Sequence, residues 1–142
     1  MPVKGPKESE IQKAFFQWLS YYPYIRALTT HIPNGGSRHK LEAVNLKKQG
    51  VTAGWPDIFI AIASNDYHGL WIELKSKGSG LSPAQKYIKT LLSQENYDYY
   101  VCDTLQAAME AVKTYLGDKF HVKQRTVSGK DSSAGSQGSW TL

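Results

Sequence analysis

Two short segments of this sequence combine carboxylates and an amine at spacings that suit phosphodiester chemistry. Pro56-Asp57 opens one apolar run, and Glu73-Leu74-Lys75 closes the next. Side chains alternate across a strand, so Glu73 and Lys75 should face the same side of a sheet. Carboxylates suit Mg²⁺, which is usually held by one or two of them together with substrate phosphates. The pattern predicts a metal-assisted site that attacks a phosphodiester, with Lys75 orienting the water or neutralising charge on phosphorus.

A purely structural role for the same residues competes with this one. Either motif arises by chance ~0.4 to 0.5 times in a chain of this composition. Glu73 and Lys75 would then be a solvated pair at a strand end, and Asp57 a turn residue after proline. However, the flanking residues are Ile, Phe, Leu and Trp. Because ionisable groups are costly in such surroundings unless they are paired or bound to metal, we favour the functional interpretation.

The elements that must position these residues follow from hydrophobic periodicity and turn residues. Residues 57–63 and 70–75 are short apolar runs that predict a hairpin of two buried strands. The other expected elements are a helix between Pro6 and Pro23, a strand at 25–32, a helix from Ser37 to Gly50, a helix from Ser82, a strand at 98–102, and a helix capped by Asp103 and closed by Gly117. This order predicts an α/β domain whose mixed central sheet is flanked by helices.

The helix from Ser82 has the most complete set of local signals. Ser82-Pro83-Ala84-Gln85 combines a serine cap, proline at the first helical position and glutamine three residues on, and so predicts a capping box. Ile88, Leu91 and Leu92 should supply its buried face. Residues 124–142 are rich in Ser and Gly, which predicts a flexible tail after a domain at 1–123.

Composition sets limits on function. The chain has 142 residues, the length of one ordinary domain, and a net charge of +5, which suits a polyanionic partner such as DNA. Cys102 is its single cysteine, so multi-cysteine zinc sites and intramolecular disulfides are excluded. No stretch of apolar residues predicts a membrane span or a signal peptide. We therefore expect a cytoplasmic protein.

Two other classes of site find little support. The four histidines show no ligand spacing, which argues against a zinc enzyme. Gly78-Ser79-Gly80 lies between a strand and a helix, as a dinucleotide loop would, but Pro83 occupies the third glycine position and no Walker lysine follows. We therefore expect no nucleotide cofactor.

Four segments, in order, resemble a known family. They are an early helix bearing Glu10, HIPNGG at 31–36, GVTAGWPDIFI at 50–60 and IELKSKGSGLSPAQ at 72–85. Over about residues 8–116 the chain resembles the VRR-NUC (virus-type replication-repair nuclease) domain, in the small stand-alone form of phages and bacteria. This is a branch of the PD-(D/E)xK superfamily. The resemblance implies a restriction-endonuclease-like core with an extra helix between its first and second strands.

The resemblance also implies a function and a set of site residues. It implies an endonuclease that uses Mg²⁺ or Mn²⁺, with Asp57, Glu73 and the backbone carbonyl of Leu74 holding the metal. Lys75 would assist the attacking water, Glu10 would add an outer carboxylate to the metal site, and Gln85 would support the site.

Glu10 and Gln85 also fit purely structural roles. A glutamate in a first helical turn, such as Glu10, is favoured by the helix macrodipole alone. Its alignment with Ala14 and Trp18 at i+4 and i+8 nevertheless lets it face the sheet, and we favour function. Gln85 fits the capping box equally well, and both roles are compatible.

The expected partner is DNA, in branched form and most simply a four-way junction cut by a homodimer with two sites. The resemblance places the loop Asn34-Gly35-Gly36 beside the active site, although the loop also fits a simple turn. Further candidates for phosphate contacts are Arg38, Lys40 and Lys77, which an ordinary solvated basic face explains equally well. Three alternatives stay open: a monomeric flap- or end-directed repair nuclease, a site-specific restriction-type nuclease, and a non-catalytic nucleic-acid-binding module of the same fold.

Overall fold

A computed structural model of the chain describes residues 5–33 and 40–121. Its helices and strands alternate as an α/β domain, which confirms the expected fold class. The helices are α1 (Glu8–Leu19), α2 (Pro23–Ala27), α3 (Lys40–Lys48), α4 (Pro83–Gln94) and α5 (Leu105–Leu116). The strands are β1 (Thr29–His31), β2 (Ile58–Ile60), β3 (Leu70–Leu74) and β4 (Asp98–Cys102). Helix α3 is the expected extra helix between the first and second strands.

The four strands form one mixed sheet in the order β1-β2-β3-β4. The pairs β1–β2 and β2–β3 are antiparallel, whereas β3 and β4 are parallel. This difference follows from the connections, because a hairpin loop over residues 61–69 joins β2 to β3 while α4 carries the chain from β3 back to the start of β4. The hairpin of β2 and β3 is therefore the centre of the sheet, as its apolar sequence predicts.

Alternation along the central strands divides the core into two layers. One face of the sheet packs against α1, α2 and α5 in the larger cluster, which includes Ile58, Ile60, Leu70, Ile72 and Leu74. The other face packs against α4 in a smaller aromatic cluster, which includes Phe59, Trp71, Ile88, Leu92 and Tyr99. Glu73 follows Trp71 by two residues and so lies on the α4 side of the sheet.

The predicted strand at 25–32 is wrong in its first half. Pro23 is the first residue of the short helix α2, where its fixed φ suits a helical turn. This turn brings Ile25 into the core with no exposed surface. The Thr29 hydroxyl then donates a hydrogen bond to the Ile25 carbonyl at 2.6 Å. The apolar residues of this segment therefore reflect burial of a helical turn as well as of a strand.

One helix boundary and one helix face differ from expectation, and one cap agrees with it. The N-cap of α5 is Thr104, not Asp103, because the Thr104 hydroxyl accepts from the Ala107 N–H at 3.0 Å. On α4, Ile88 and Leu92 are buried but Leu91 is 38% exposed. Gly50 ends α3 with φ of +101°, the left-handed conformation expected of a cap.

Helix α3 makes little use of its apolar residues, since Leu41 is 79% and Val44 is 48% exposed. No helix in the two described ranges has the length and apolarity needed to cross a membrane. The expected tail at 124–142, the loop Asn34-Gly35-Gly36 and Arg38 lie outside the described residues.

Candidate active site

Asp57 is fixed immediately before β2, at the end of the sheet opposite the hairpin turn. The register that pairs Ile58 with Ile72 places Asp57 opposite Glu73. The Asp57 carboxylate accepts a hydrogen bond from the Leu74 N–H at 2.8 Å. Its backbone carbonyl accepts from the Ile32 N–H at 2.7 Å and from His31 Nδ1 at 2.8 Å. Backbone and side chain are thus held from both neighbouring strands.

Glu73 is the most deeply buried charged side chain of the site, with 3% of its surface exposed. Its Oε1 atom accepts a hydrogen bond from Gln85 Nε2 at 3.0 Å and lies 3.9 Å from Lys75 Nζ. Its Oε2 atom is buried and accepts no hydrogen bond from the described residues. A protonated Glu73 shares its proton with the facing Asp57 carboxylate, a contact that lowers the pKa of Asp57. An oxygen such as Oε2 is costly to bury, so its position requires a reason outside the stability of the fold.

The pKa values of both carboxyl groups of the pair are raised, in each case mainly by burial. Burial, followed by the charge of Asp57, raises the pKa of Glu73 to about 8, against the opposing effect of Lys75. Burial also raises the pKa of Asp57, although the Leu74 N–H counteracts this effect. Two acids facing each other in a partly dry site cannot both ionise cheaply. Together they form a site that attracts either a proton or a cation.

The donor set fits a hard divalent cation. Asp57 and Glu73 offer oxygen atoms, one of which accepts no hydrogen bond from the described residues, and the single charge of the neighbouring Lys75 cannot neutralise both carboxylates. The described residues contain no cluster of three or more His, Cys, Asp or Glu side chains able to hold a metal. Two carboxylates remain compatible with Mg²⁺, which is usually held by one or two carboxylates and completes its shell with waters and substrate phosphates.

The structure separates the two glutamates of the first helix. Glu10 is exposed and accepts a hydrogen bond from the Lys7 N–H at 3.0 Å, which is the reach-back contact of a capping box. Glu8 instead accepts from the Ser76 N–H at 3.0 Å, just past the end of β3. The charge of Glu8 raises the pKa of both Asp57 and Glu73. Glu8, which no sequence pattern singled out, is thus the helix carboxylate beside the pair.

Gln85 has both of the roles that the sequence left open. Its Oε1 accepts from the Ser82 N–H at 2.9 Å, and its own N–H donates to the Ser82 hydroxyl at 3.2 Å. Its Nε2 is then free to donate to Glu73. The capping box fixes the side chain at the start of α4, and this fixes the donor that faces the carboxylate.

Gly54 brings the preceding loop close to α4. Its φ is +94°, and a Cβ atom at this position would lie 2.5 Å from the carbonyl oxygen of Ala84. Only glycine allows both the conformation and the approach. Gly54 therefore allows the loop that carries Asp57 to pack against α4, the helix that carries Gln85.

Tyr99 is a second neighbour of the pair that no sequence pattern indicates. Its hydroxyl is buried and has no hydrogen-bond partner among the described residues. Burial raises the pKa of this phenol, and the charges of Glu73 and Asp57 raise it further. Lys89 lies over the ring, with Nζ 5.3 Å from its centroid. Only the pairing of β4 with β3, a long-range contact, reveals this proximity.

The remaining predicted residues are less closely tied to the pair. Lys77 is exposed, two residues beyond Lys75. Lys40 begins α3, but its side chain lies outside the described part of the structure.

Comparison with known proteins identifies the family of this chain. The family model of the VRR-NUC domain matches residues 6–105, a range that includes both carboxylates, Lys75 and Gln85. The chain belongs to the VRR-NUC family. A solved structure of a VRR-NUC domain protein is 31% identical, with a TM-score of 0.69, and the match covers 80% of this chain and 90% of that one. No curated protein matches the chain. Membership of the VRR-NUC family implies a nuclease-type function.

Proposed function

We propose that this VRR-NUC protein is a metal-dependent endonuclease that hydrolyses phosphodiester bonds in structured DNA, with the four-way junction as its substrate type. The observation that carries the proposal is the pairing of the half-buried Asp57 with the buried Glu73, in which one Glu73 oxygen accepts no hydrogen bond from the described residues. The nearby ammonium of Lys75 completes a constellation suited to phosphoryl chemistry.

Each side chain has a separate task in this proposal. Asp57 and Glu73, with the Leu74 carbonyl, hold a divalent cation, and Gln85 orients Glu73 through its hydrogen bond to Oε1. Mg²⁺ or Mn²⁺ bound there would polarise the phosphoryl oxygen and acidify a bound water. Lys75 orients the attacking water or neutralises charge that develops on phosphorus.

The outer carboxylate is assigned here to Glu8 in place of Glu10. Glu8 bridges α1 to the backbone at Ser76, whereas Glu10 is engaged in capping its own helix. Glu8 acts on Asp57 and Glu73 through its charge, and its hydrogen bonds go to Ser76. In this proposal Glu8 therefore binds water around the cation and is not a direct ligand of it.

The proposed assembly is a homodimer, formed by a domain at 1–123, that presents two sites to two strands. The exposed apolar side chains of α3, Leu41 and Val44, together with the 78% exposed Tyr21, are the kind of surface that dimerisation buries. A twofold dimer matches the near-twofold symmetry of a four-way junction.

One experiment tests the proposal and its rivals. Purified protein is incubated with labelled duplex, flap, splayed and four-way-junction DNA, in Mg²⁺, in Mn²⁺ and in chelator. We expect paired cuts in the junction that require the metal, and a dimeric mass in light scattering. Asp57→Asn should reduce the cleavage rate about 10³-fold or more while DNA binding persists, because phosphate contacts elsewhere supply most of the affinity.

The other outcomes have distinct meanings. If a monomer cuts flaps in preference to junctions, the protein is a flap-directed repair nuclease and not a junction nuclease. DNA binding without cleavage of any substrate would identify a non-catalytic module. Full activity of a correctly folded Asp57→Asn variant would remove this carboxylate from the mechanism.

A further inference from the structure

A second polar pocket lies next to the carboxylate pair, at the outer edge of the sheet. Its volume is about 280 Å³, and it is lined by Gln12, Phe16, Arg26, Thr30 and His31. These residues come from α1, α2 and the edge strand β1. No carboxylate lines the pocket, so its one permanent charge is the guanidinium of Arg26.

Arg26 is held in place but keeps most of its donors. Its guanidinium carbon lies 4.8 Å from the centroid of the Phe16 ring, and its Nη1 donates to the Thr29 carbonyl at 3.0 Å. Within residues 5–33 and 40–121, no acidic side chain forms an ion pair with it. A guanidinium has five N–H donors, so this stacked and oriented group retains several for an external acceptor.

Two elements connect the lining of the pocket to the candidate active site. Glu8, Gln12 and Phe16 are spaced by four residues and therefore share one face of α1. Glu8 acts on the carboxylate pair, and the next turn of the same face lines the pocket. On the opposite wall, the ring of His31 must donate from Nδ1 to the Asp57 carbonyl, because a carbonyl oxygen only accepts.

Building on the proposed nuclease function, we propose that this pocket binds a non-scissile phosphate of the substrate DNA. Arg26 is the main ligand, and the side-chain amide of Gln12 is a second donor. A planar guanidinium that is already oriented pairs well with two oxygens of a phosphodiester. Contact at this point would fix the register of the DNA strand that enters the carboxylate pair, since α1 carries both Glu8 and Gln12 and His31 of β1 contacts the Asp57 carbonyl.

The test compares two matched losses of charge. Arg26→Gln removes the guanidinium but keeps a donor for the Thr29 carbonyl. Lys119→Gln removes a cation that donates to the Ala63 carbonyl at 2.9 Å, near the opposite end of the sheet. Binding of a short fluorescein-labelled duplex is measured by anisotropy in chelator, over a range of NaCl concentrations, so that no cleavage is needed.

We expect the plot of log affinity against log salt to become shallower by about 1 in Arg26→Gln and to stay unchanged in Lys119→Gln. Arg26→Lys should keep the slope but bind more weakly, because a lysine cannot form the bidentate contact. In Mg²⁺, Arg26→Gln should raise KM with little change in kcat.

A wild-type slope in folded Arg26→Gln would overturn the phosphate site. If circular dichroism shows that Arg26→Gln does not fold, the Gln12→Leu variant is tested instead. Weaker DNA binding by Gln12→Leu with an unchanged salt slope supports the phosphate site, and wild-type affinity for DNA overturns it. Absence of cleavage in the wild-type protein, together with the slope change in Arg26→Gln, would instead reject the nuclease proposal and leave the phosphate site standing.

Discussion

The two ends of the central hairpin differ in whether their buried polar groups are hydrogen-bonded. At the turn end, between β2 and β3, the buried Ser64 hydroxyl donates to the Tyr115 carbonyl at 2.8 Å. The Tyr115 hydroxyl donates in turn to the Ile62 carbonyl at 2.6 Å. At the other end, Glu73 is equally buried, but one of its oxygens accepts no hydrogen bond in the described structure and its pKa is raised.

This difference indicates what each end is for. Satisfied polar groups at the turn end fasten α5 to the hairpin and so stabilise the fold. The carboxylates at the other end carry a cost that the fold itself does not require. Such a cost is typical of functional sites, where strained or desolvated groups await a ligand. Substitutions at the two ends should therefore move stability and activity in different directions.

Among residues that are not proposed metal ligands, the largest effect should come from Lys75. Replacement by Ala should lower kcat about 10²- to 10⁴-fold, the range typical of a group that assists proton transfer, with only a small change in the affinity for metal. Lys75→Arg should stay impaired, because a planar guanidinium has a different donor geometry from an ammonium. Single-turnover cleavage at saturating Mg²⁺ measures the rate of each variant. A normal rate at saturating metal, combined with a large loss of metal affinity, would contradict the assigned role.

The next effect concerns pH and the stability of the metal-free protein. The pKa of Glu73 is about 8 in the fold and 4.5 ordinarily. Between these values the unfolded chain has lost the proton that the folded chain keeps, so the free energy of unfolding should fall as pH rises from 4.5 to 8. Glu73→Gln should flatten this decline, and Mg²⁺ should oppose it in the wild type by displacing the proton.

Urea denaturation at a series of pH values measures this prediction. Glu110→Gln, at an exposed glutamate of α5, is the matched control and should leave the decline as steep as in the wild type. A wild-type stability that rises over the same interval would show that Glu73 is ionised in the fold.

Much of the site could be predicted from sequence because it depends on local rules. Strand alternation places Glu73 and Lys75 on one face, and hairpin pairing brings Asp57 opposite Glu73. The capping box fixes Gln85 from residues 82–85 alone. Each of these inferences needs only neighbouring residues or a single turn.

The features that sequence reasoning missed depend on how elements dock. Glu8 and Glu10 both flank the apolar stripe of α1, and only the packing angle of that helix decides which one approaches Ser76. Arg26 was hidden in a segment that resembles a strand but folds as a helical turn. Tyr99 meets the carboxylates only through parallel pairing across the α4 crossover.

The two glutamates of α1 offer a smaller and more selective test of the site end. Glu8→Gln keeps an acceptor for the Ser76 N–H but removes the charge, and should lower the cleavage rate about 10-fold, as expected for a residue that acts through the ligands. Glu10→Gln should have no effect, because glutamine serves equally well in a capping box. The reverse result, loss of activity in Glu10→Gln alone, would restore Glu10 as the outer carboxylate. Both variants are compared by initial rates over a pH series.

The smallest effect on activity should come from the turn end of the hairpin, where Tyr115→Phe removes one hydroxyl. The Ile62 carbonyl then loses its partner in a site where Tyr115 is only 1% exposed, so the free energy of unfolding should fall by about 1 to 3 kcal/mol. Ser64→Ala should lower the free energy of unfolding by less, because Asn65 also donates to the Tyr115 carbonyl, at 3.0 Å.

Neither change reaches the carboxylates, so kcat and metal dependence should match the wild type under conditions where the variants are folded. Urea denaturation and cleavage assays on the same preparations measure both quantities. If Tyr115→Phe lowered kcat without lowering stability, the two ends of the hairpin would be coupled, and the separation of a structural end from a functional one would be wrong.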